Sequence, residues 1–167
     1  MRRFNLCTSV AMVALIGAVG FAQAPTKIAT LADHVALMKS NAQANGALNK
    51  SLGSGSFADA KTAAGTLRTN FTTLRAFWTE KKNADALKIV SDGVTRLDGL
   101  DKLLAAAAPD QAAAQAAAKE FSGATCATCH KTMREGDTQS GYRFRPDVDP
   151  FQLEAHIRDS PAEDVAA

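Results

Sequence analysis

The chain has 167 residues and a formal net charge of +2, with 19 basic and 17 acidic side chains. So balanced a charge gives no indication of the basic face on which nucleic-acid affinity would rest, and no nucleic-acid partner is expected. Only 6% of the residues are aromatic, so the side chains alone form a thin core, and the length suits a single domain.

The first 24 residues have the pattern of a secretory signal peptide. Arg2 and Arg3 precede an apolar stretch, 10–21, which ends at the small-residue cleavage site Ala22-Gln23-Ala24. The alternative, a membrane anchor, is disfavoured because the apolar run is too short to span a bilayer comfortably. We therefore expect an exported, periplasmic protein that keeps no stable membrane span and is close to neutral once Arg2 and Arg3 are removed.

Four stretches of the chain have the apolar spacing of amphipathic helices. The first is predicted from about residue 27 to residue 52. Its apolar stripe comprises Ile28, Leu31, Val35, Met38 and Ala42. The second is predicted to start after a Ser56 cap, with Asp59 completing a capping box. Its stripe comprises Phe57, Ala60, Ala64, Leu67, Phe71, Leu74 and Trp78.

The third and fourth helices complete the pattern. Asn83 is expected to cap the third, whose stripe comprises Leu87, Val90, Val94, Leu97, Leu100 and Leu104. Pro109 at a first helical position opens the fourth, which is nearly all alanine until Phe121 and runs to about Glu135. No stretch alternates as a strand does and the connections are short, which predicts an all-α, antiparallel up-down-up-down four-helix bundle.

Cys126-Ala127-Thr128-Cys129-His130, in the fourth predicted helix, has the C-x-x-C-H spacing of covalent haem c attachment. On a helix, Cys126 and Cys129 lie one turn apart, within reach of two neighbouring vinyl groups, and His130 follows as the axial iron ligand. Zinc sites and thioredoxin-like redox centres also use C-x-x-C. Zinc would need a second ligand pair, for which only Cys7 remains, and a thioredoxin-like centre would need alternating strands and helices. The predicted cofactor is one covalent haem c.

Four helices with this motif in the last of them resemble the class II cytochromes c, which comprise cytochrome c prime and its low-spin, methionine-ligated relatives. The resemblance covers about residues 27–135 and rests on two segments, Cys126–Arg134 and, in the first helix, Leu37–Asn41. That family commonly has C-x-x-C-H-x-x-aromatic-Arg. This chain matches at Arg134 but has Met133 in place of the aromatic residue.

The resemblance also implies a sixth iron ligand. In low-spin members, a methionine of the first helix in a Leu-Met-Lys context supplies it, and Met38 is the corresponding residue. The alternatives are a vacant site, as in cytochrome c prime, ligation by His34 one turn earlier, or simple core packing of Met38. Arg134, one turn beyond His130, is expected to act on that imidazole or to contact a haem propionate, with a solvated helix-end cation as the alternative.

Residues 136–167 extend past the point where chains of that family usually end. Their glycines and prolines predict an irregular segment that covers the haem edge, docks a redox partner or stays solvated. The expected organisation is a signal peptide over 1–24, a cytochrome domain over 25–135 and this extension.

Together these features predict a periplasmic electron-transfer protein, not an enzyme, which passes single electrons between redox partner proteins. The sequence has no recognisable catalytic triad, carboxylate pair or phosphate loop. The alternative function is a five-coordinate protein of the cytochrome c prime kind that binds NO or CO. A third alternative is a structural or interaction module in which the haem mainly stabilises the bundle and the C-terminal segment carries out the function. Because class II cytochromes often dimerise through outer helix faces, a homodimer is a further expectation.

Overall fold

The computed structural model describes residues 24–139 and 141–152. These residues are mostly helical, which agrees with the predicted all-α class. The elements are α1 (Leu31–Gly53), α2 (Phe57–Glu80), α3 (Ala84–Leu104), α4 (Gln111–Phe121), a π-helical segment (Ser122–Ala127), α5 (Thr128–Met133), β1 (Arg134–Asp137) and β2 (Gly141–Phe144). Within these residues no helix combines the length and the apolar character needed to cross a membrane. The predicted signal peptide, except Ala24, lies outside the described residues, as does His156, a histidine of the extension that is expected to be solvated.

Local capping determines where α1, α3 and α4 begin. The Asp33 backbone N–H donates to Thr30 Oγ1 (3.2 Å) and the Thr30 backbone N–H donates to the Asp33 carboxylate (2.9 Å), which together form a capping box. This box starts α1 at Leu31, later than the sequence predicted. Asn83 and Asp110 cap α3 and α4 through their side-chain oxygens. The capping box predicted for α2 is not formed: Ser56 lies at the cap position, but its side chain makes no cap hydrogen bond and its Oγ donates to Asp59 Oδ2 at 2.6 Å.

The apolar stripes predicted for α2 and α3 are confirmed by the burial of their members, with Phe57 and Leu87 half-buried. The helices meet in sequence order: α1 packs on α2, α2 on α3 and α3 on α4, and α4 returns to α1. Trp78 and Phe121 are the largest fully buried side chains of the resulting core.

The stripe predicted for α1 was wrong apart from Ile28, which is buried but precedes the helix. The last member of that stripe, Ala42, is exposed. The face that α1 buries comprises Leu37, Ser40, Ala44, Leu48 and Leu52. Leu31 and Val35 are instead 53% and 43% exposed, and Met38 is half-buried. The physical reason is a polar residue on the core face: Ser40 is buried because its Oγ accepts a hydrogen bond from Asn70 Nδ2 at 3.0 Å.

The fourth predicted helix is not uniform. Its α-helical ladder is interrupted by the π-helical segment and ends at Met133, short of the predicted Glu135. The next residue, Arg134, is already extended, with φ −124° and ψ 146°. Because Asp110 is the cap of α4, Pro109 lies before the helix and not at its first position.

The sequence predicted an irregular extension, but the first part of the extension forms a hairpin. β1 pairs antiparallel with β2, with Arg134 opposite Phe144. Gly136 and Gly141 adopt φ values of +87° and +78°, which glycine reaches without steric cost. Strands of four residues with so few apolar members are too short to give an alternating signal.

Gly93 is required by a close approach of α3 to the π-helical segment. A Cβ at this position would lie 2.6 Å from Thr125 Cγ2 and 2.9 Å from Phe71 Cε1. Gly99, on the same helix, has nothing within 4 Å of the corresponding position. Only the first of these glycines is therefore demanded by packing.

We expect Gly93→Ala and Gly99→Ala to shift stability in opposite directions. Gly93→Ala should lower the free energy of unfolding by about 1–3 kcal/mol, because the added methyl group overpacks the contact with Thr125. Gly99→Ala should raise it by about 0.5–1 kcal/mol, since alanine favours the helix and meets no neighbour. Urea denaturation of both variants measures the difference, and shifts of the same sign would contradict it.

Candidate functional site

The C-x-x-C-H motif straddles the junction between the π-helical segment and α5. Cys126 belongs to the π-helical segment, whereas Cys129 and His130 belong to α5. Both sulfur-bearing side chains are half-buried and pack against the hydrophobic core, and His130 is exposed. The motif therefore directs its two thiols inward and leaves its imidazole open to approach.

Both cysteines are free thiols. Burial raises the pKa of Cys126 to about 11, and the neighbouring charge of Cys129 adds to this effect. Burial also raises the pKa of Cys129 to about 11, although the positive charge of Arg134 opposes the shift. At neutral pH both groups are protonated, unlike the low-pKa thiolate of a thioredoxin-like centre.

The surroundings of the thiols do not resemble a zinc site. Across residues 24–139 and 141–152, no three His, Cys, Asp or Glu side chains are grouped so that they could hold a metal ion. Within that part of the chain, Cys126 and Cys129 have no second ligand pair of the kind that structural zinc requires.

His130 is a neutral imidazole under the influence of Arg134. Partial burial of the ring and then the charge of Arg134 lower the pKa of His130. At neutral pH one ring nitrogen therefore carries a lone pair that a metal can accept. The Arg134 guanidinium also stacks on Tyr142, with its Cζ 3.7 Å from the ring centroid. Arg134 thus contributes to the lowered pKa of His130, whereas a role of Arg134 toward a haem, including a contact with a propionate, stays a prediction.

His34 of α1 is brought within electrostatic range of His130. Burial, and secondarily the charge of His130, lower the pKa of His34 to about 4. Its ring lies 4.8 Å from Phe144, 6.2 Å from Phe77 and 6.3 Å from Phe151, measured between centroids. Among the described residues neither nitrogen of this ring has a hydrogen-bond partner.

Met38 lies one turn after His34 on α1 and packs, half-buried, against the same core as the two cysteines. This packing is compatible with the simple core role that the sequence left open. A role as iron ligand stays a prediction.

Thr125 is a feature of the site that the sequence analysis missed. It immediately precedes Cys126, is 1% exposed, and its Oγ1 has no hydrogen-bond partner among the described residues. Such a buried hydroxyl costs about 1–3 kcal/mol of desolvation. No sequence signal marks it, because a threonine in a helix usually bonds to a carbonyl one turn back, as Thr132 does to Thr128.

Polar contacts with α1 hold the residues before the motif. Ser122 Oγ donates to Asn45 Oδ1 at 3.0 Å, and Gln111 Nε2 donates to the Leu52 carbonyl at 2.6 Å. The π-helical segment is thus fixed to α1 by a hydrogen bond on one side and to α3 by the Gly93 contact on the other.

A groove of about 340 Å³ opens beside the end of α5. It lies between α3, α5 and the extension, and Ile89, Met133 and Val148 are among the residues that line it. Neither cysteine nor His130 contributes to its lining. The groove is therefore a neighbour of the motif and not part of it.

No protein-family model, curated protein or solved structure matches this chain. The resemblance to class II cytochromes accordingly rests on the residues and the helices of this chain.

The lowered pKa of His34 predicts a pH dependence of stability. The folded-state pKa of about 4 lies below the ordinary pKa of 6.5, so between these pH values the unfolded chain binds a proton at His34 and the folded chain does not. The contribution of His34 to the free energy of unfolding, at most roughly 3 kcal/mol, is complete above pH 6.5 and is lost as the pH falls toward 4. We expect the wild-type protein to lose more unfolding free energy between pH 6.5 and pH 4.5 than His34→Phe, which keeps an aromatic ring in place. Urea denaturation at both pH values would disprove this if the two proteins lost equal amounts.

Proposed function

We propose that this protein is an exported monohaem c-type cytochrome of the class II kind, which carries single electrons between redox partner proteins and is not an enzyme. One observation carries the proposal. Cys126 and Cys129 are free, protonated and half-buried one helical turn apart, and a neutral, exposed imidazole at His130 follows them directly.

This donor set fits the chemical needs of a covalently held haem. Thioether bonds require two reduced sulfurs at this spacing, and an axial ligand must offer a lone pair without first losing a proton. When bound, a haem supplies reversible one-electron iron chemistry. Cys126 and Cys129 would anchor the haem, His130 would offer an imidazole to its iron within an apolar setting, and Arg134 adds a positive charge near His130.

We infer that the helices form the antiparallel up-down-up-down bundle of that class. The closed order of contacts from α1 through α4 and back to α1 supports this arrangement. So do the short connections, which span residues 54–56, 81–83 and 105–110, because short links favour antiparallel neighbours.

Met38 is the proposed sixth ligand. It lies on α1, one turn beyond His34, whose pKa is lowered in part by His130. Met38 also packs against the same hydrophobic core as both cysteines. A thioether ligand from Met38 would raise the reduction potential of the haem iron, which suits a carrier.

The covalent attachment is tested by mass. Produced in a host that matures c-type cytochromes, the polypeptide should carry the mass of one haem that denaturation does not remove. Cys126→Ala/Cys129→Ala should lose it, and Cys7→Ala, which changes a residue of the predicted signal peptide, should retain it. A wild-type polypeptide with the mass of its amino acids alone would overturn the proposal.

The sixth ligand is tested by spectroscopy. The ferric protein should show a low-spin spectrum with the near-infrared methionine-to-iron band. Met38→Ala should abolish the band and lower the reduction potential, because the thioether is lost. Met133→Leu is the matched control, since Met133 is buried in α5, and it should keep the band. A high-spin wild-type spectrum that NO or CO readily converts would favour the gas-binding alternative instead.

A further inference from the structure

The C-terminal extension returns to α1 and α2 through aromatic rings. Phe151 stacks on Phe77 with centroids 5.6 Å apart and 25° between the ring planes. Phe144 lies edge-on to Trp78 at 6.0 Å and 5.9 Å from Phe151. We call these four rings and His34 the aromatic cluster. Two of its members, Phe144 and Phe151, come from the extension.

The same extension is tied to the end of the proposed haem helix. The Arg145 backbone N–H donates to the Met133 carbonyl at 3.1 Å, and Arg143 pairs with Glu135 at 2.9 Å. Phe144 is the strand partner of Arg134, which directly follows α5. The extension thus spans from the haem helix to α1.

Within the aromatic cluster, His34 has ring contacts but no polar partner among the described residues. A neutral imidazole with an unused lone pair is a capable haem ligand. His34 is one turn from Met38 on the same helix, and its ring centroid lies 4.8 Å from that of Phe144, the strand partner of Arg134. Both its chemistry and its position on α1 therefore make His34 a competitor of Met38 for the role of sixth iron ligand.

We propose that Phe144 and Phe151 hold His34 in the aromatic cluster and so leave the sixth coordination position to Met38. Release of these two rings lets His34 replace Met38. The replacement breaks one iron–sulfur bond and forms one iron–nitrogen bond, and it transfers no electron and no proton because His34 is already neutral. The inference rests on the proposed function, and it makes Phe144 and Phe151 positioning residues that select the ligand.

The test uses the haem-loaded protein and its Phe144→Ala/Phe151→Ala variant. The variant should lose most of the near-infrared methionine band, gain the spectrum of a bis-histidine haem and show a lower reduction potential. Adding His34→Leu should restore the methionine band. Asp147→Ala is the matched control, because Asp147 belongs to the extension but is exposed and pairs with Arg145, and it should leave the spectrum unchanged.

Two further variants keep the test decisive. Phe144→Leu retains apolar volume and should give a partial loss of the band even if the double variant folds poorly. His34→Leu alone should keep the full methionine band. A full band in both Phe144 variants, a loss that His34→Leu does not reverse, or a wild-type spectrum that already shows two histidines would overturn the inference. Mass measurement separates these outcomes from a failure of haem attachment, which would remove the proposed function itself.

Discussion

The contact between α3 and the π-helical segment is the constraint on which the site depends. Gly93 has no side chain, so Thr125 approaches α3 more closely than it could if position 93 carried any other residue. Because Thr125 immediately precedes Cys126, this contact holds the segment that carries the first cysteine against α3. The Ser122–Asn45 hydrogen bond fixes the same segment to α1. The segment that leads into the motif is thus held between α1 and α3.

Burial is the main cause of the shifted pKa values of the two thiols and the two imidazoles at the site. It raises the pKa of both cysteines and lowers the pKa of His34 and His130, because reduced solvation disfavours charge of either sign, and at His130 the charge of Arg134 adds to this effect. The extension contributes to this setting, since Phe144 and Phe151 cover one side of His34. A neutral, apolar environment is also what limits reorganisation around a one-electron centre, in keeping with the proposed carrier.

Sequence reasoning was reliable where one strong pattern dominates. The stripes of α2 and α3 are rich in large apolar residues, and their burial confirms them. The C-x-x-C-H spacing is specific, but the haem attachment that it indicates stays a prediction. Sequence reasoning failed for α1, where alanines lie on several faces and a buried Ser40–Asn70 hydrogen bond puts a polar residue in the core. The π-helical turn, the unpaired Thr125 hydroxyl and the hairpin have no local signature. The meeting of His34 with Phe144 depends on residues far apart in the chain, which periodicity does not detect.

The aromatic cluster has a practical consequence for observing the molecule. The chain contains one tryptophan, and Trp78 is the ring that Phe144 meets edge-on. Its intrinsic fluorescence therefore originates at the junction of α2 with the C-terminal extension. Undocking of that extension would change the polarity around a single native fluorophore, so its emission reports the event without any attached label.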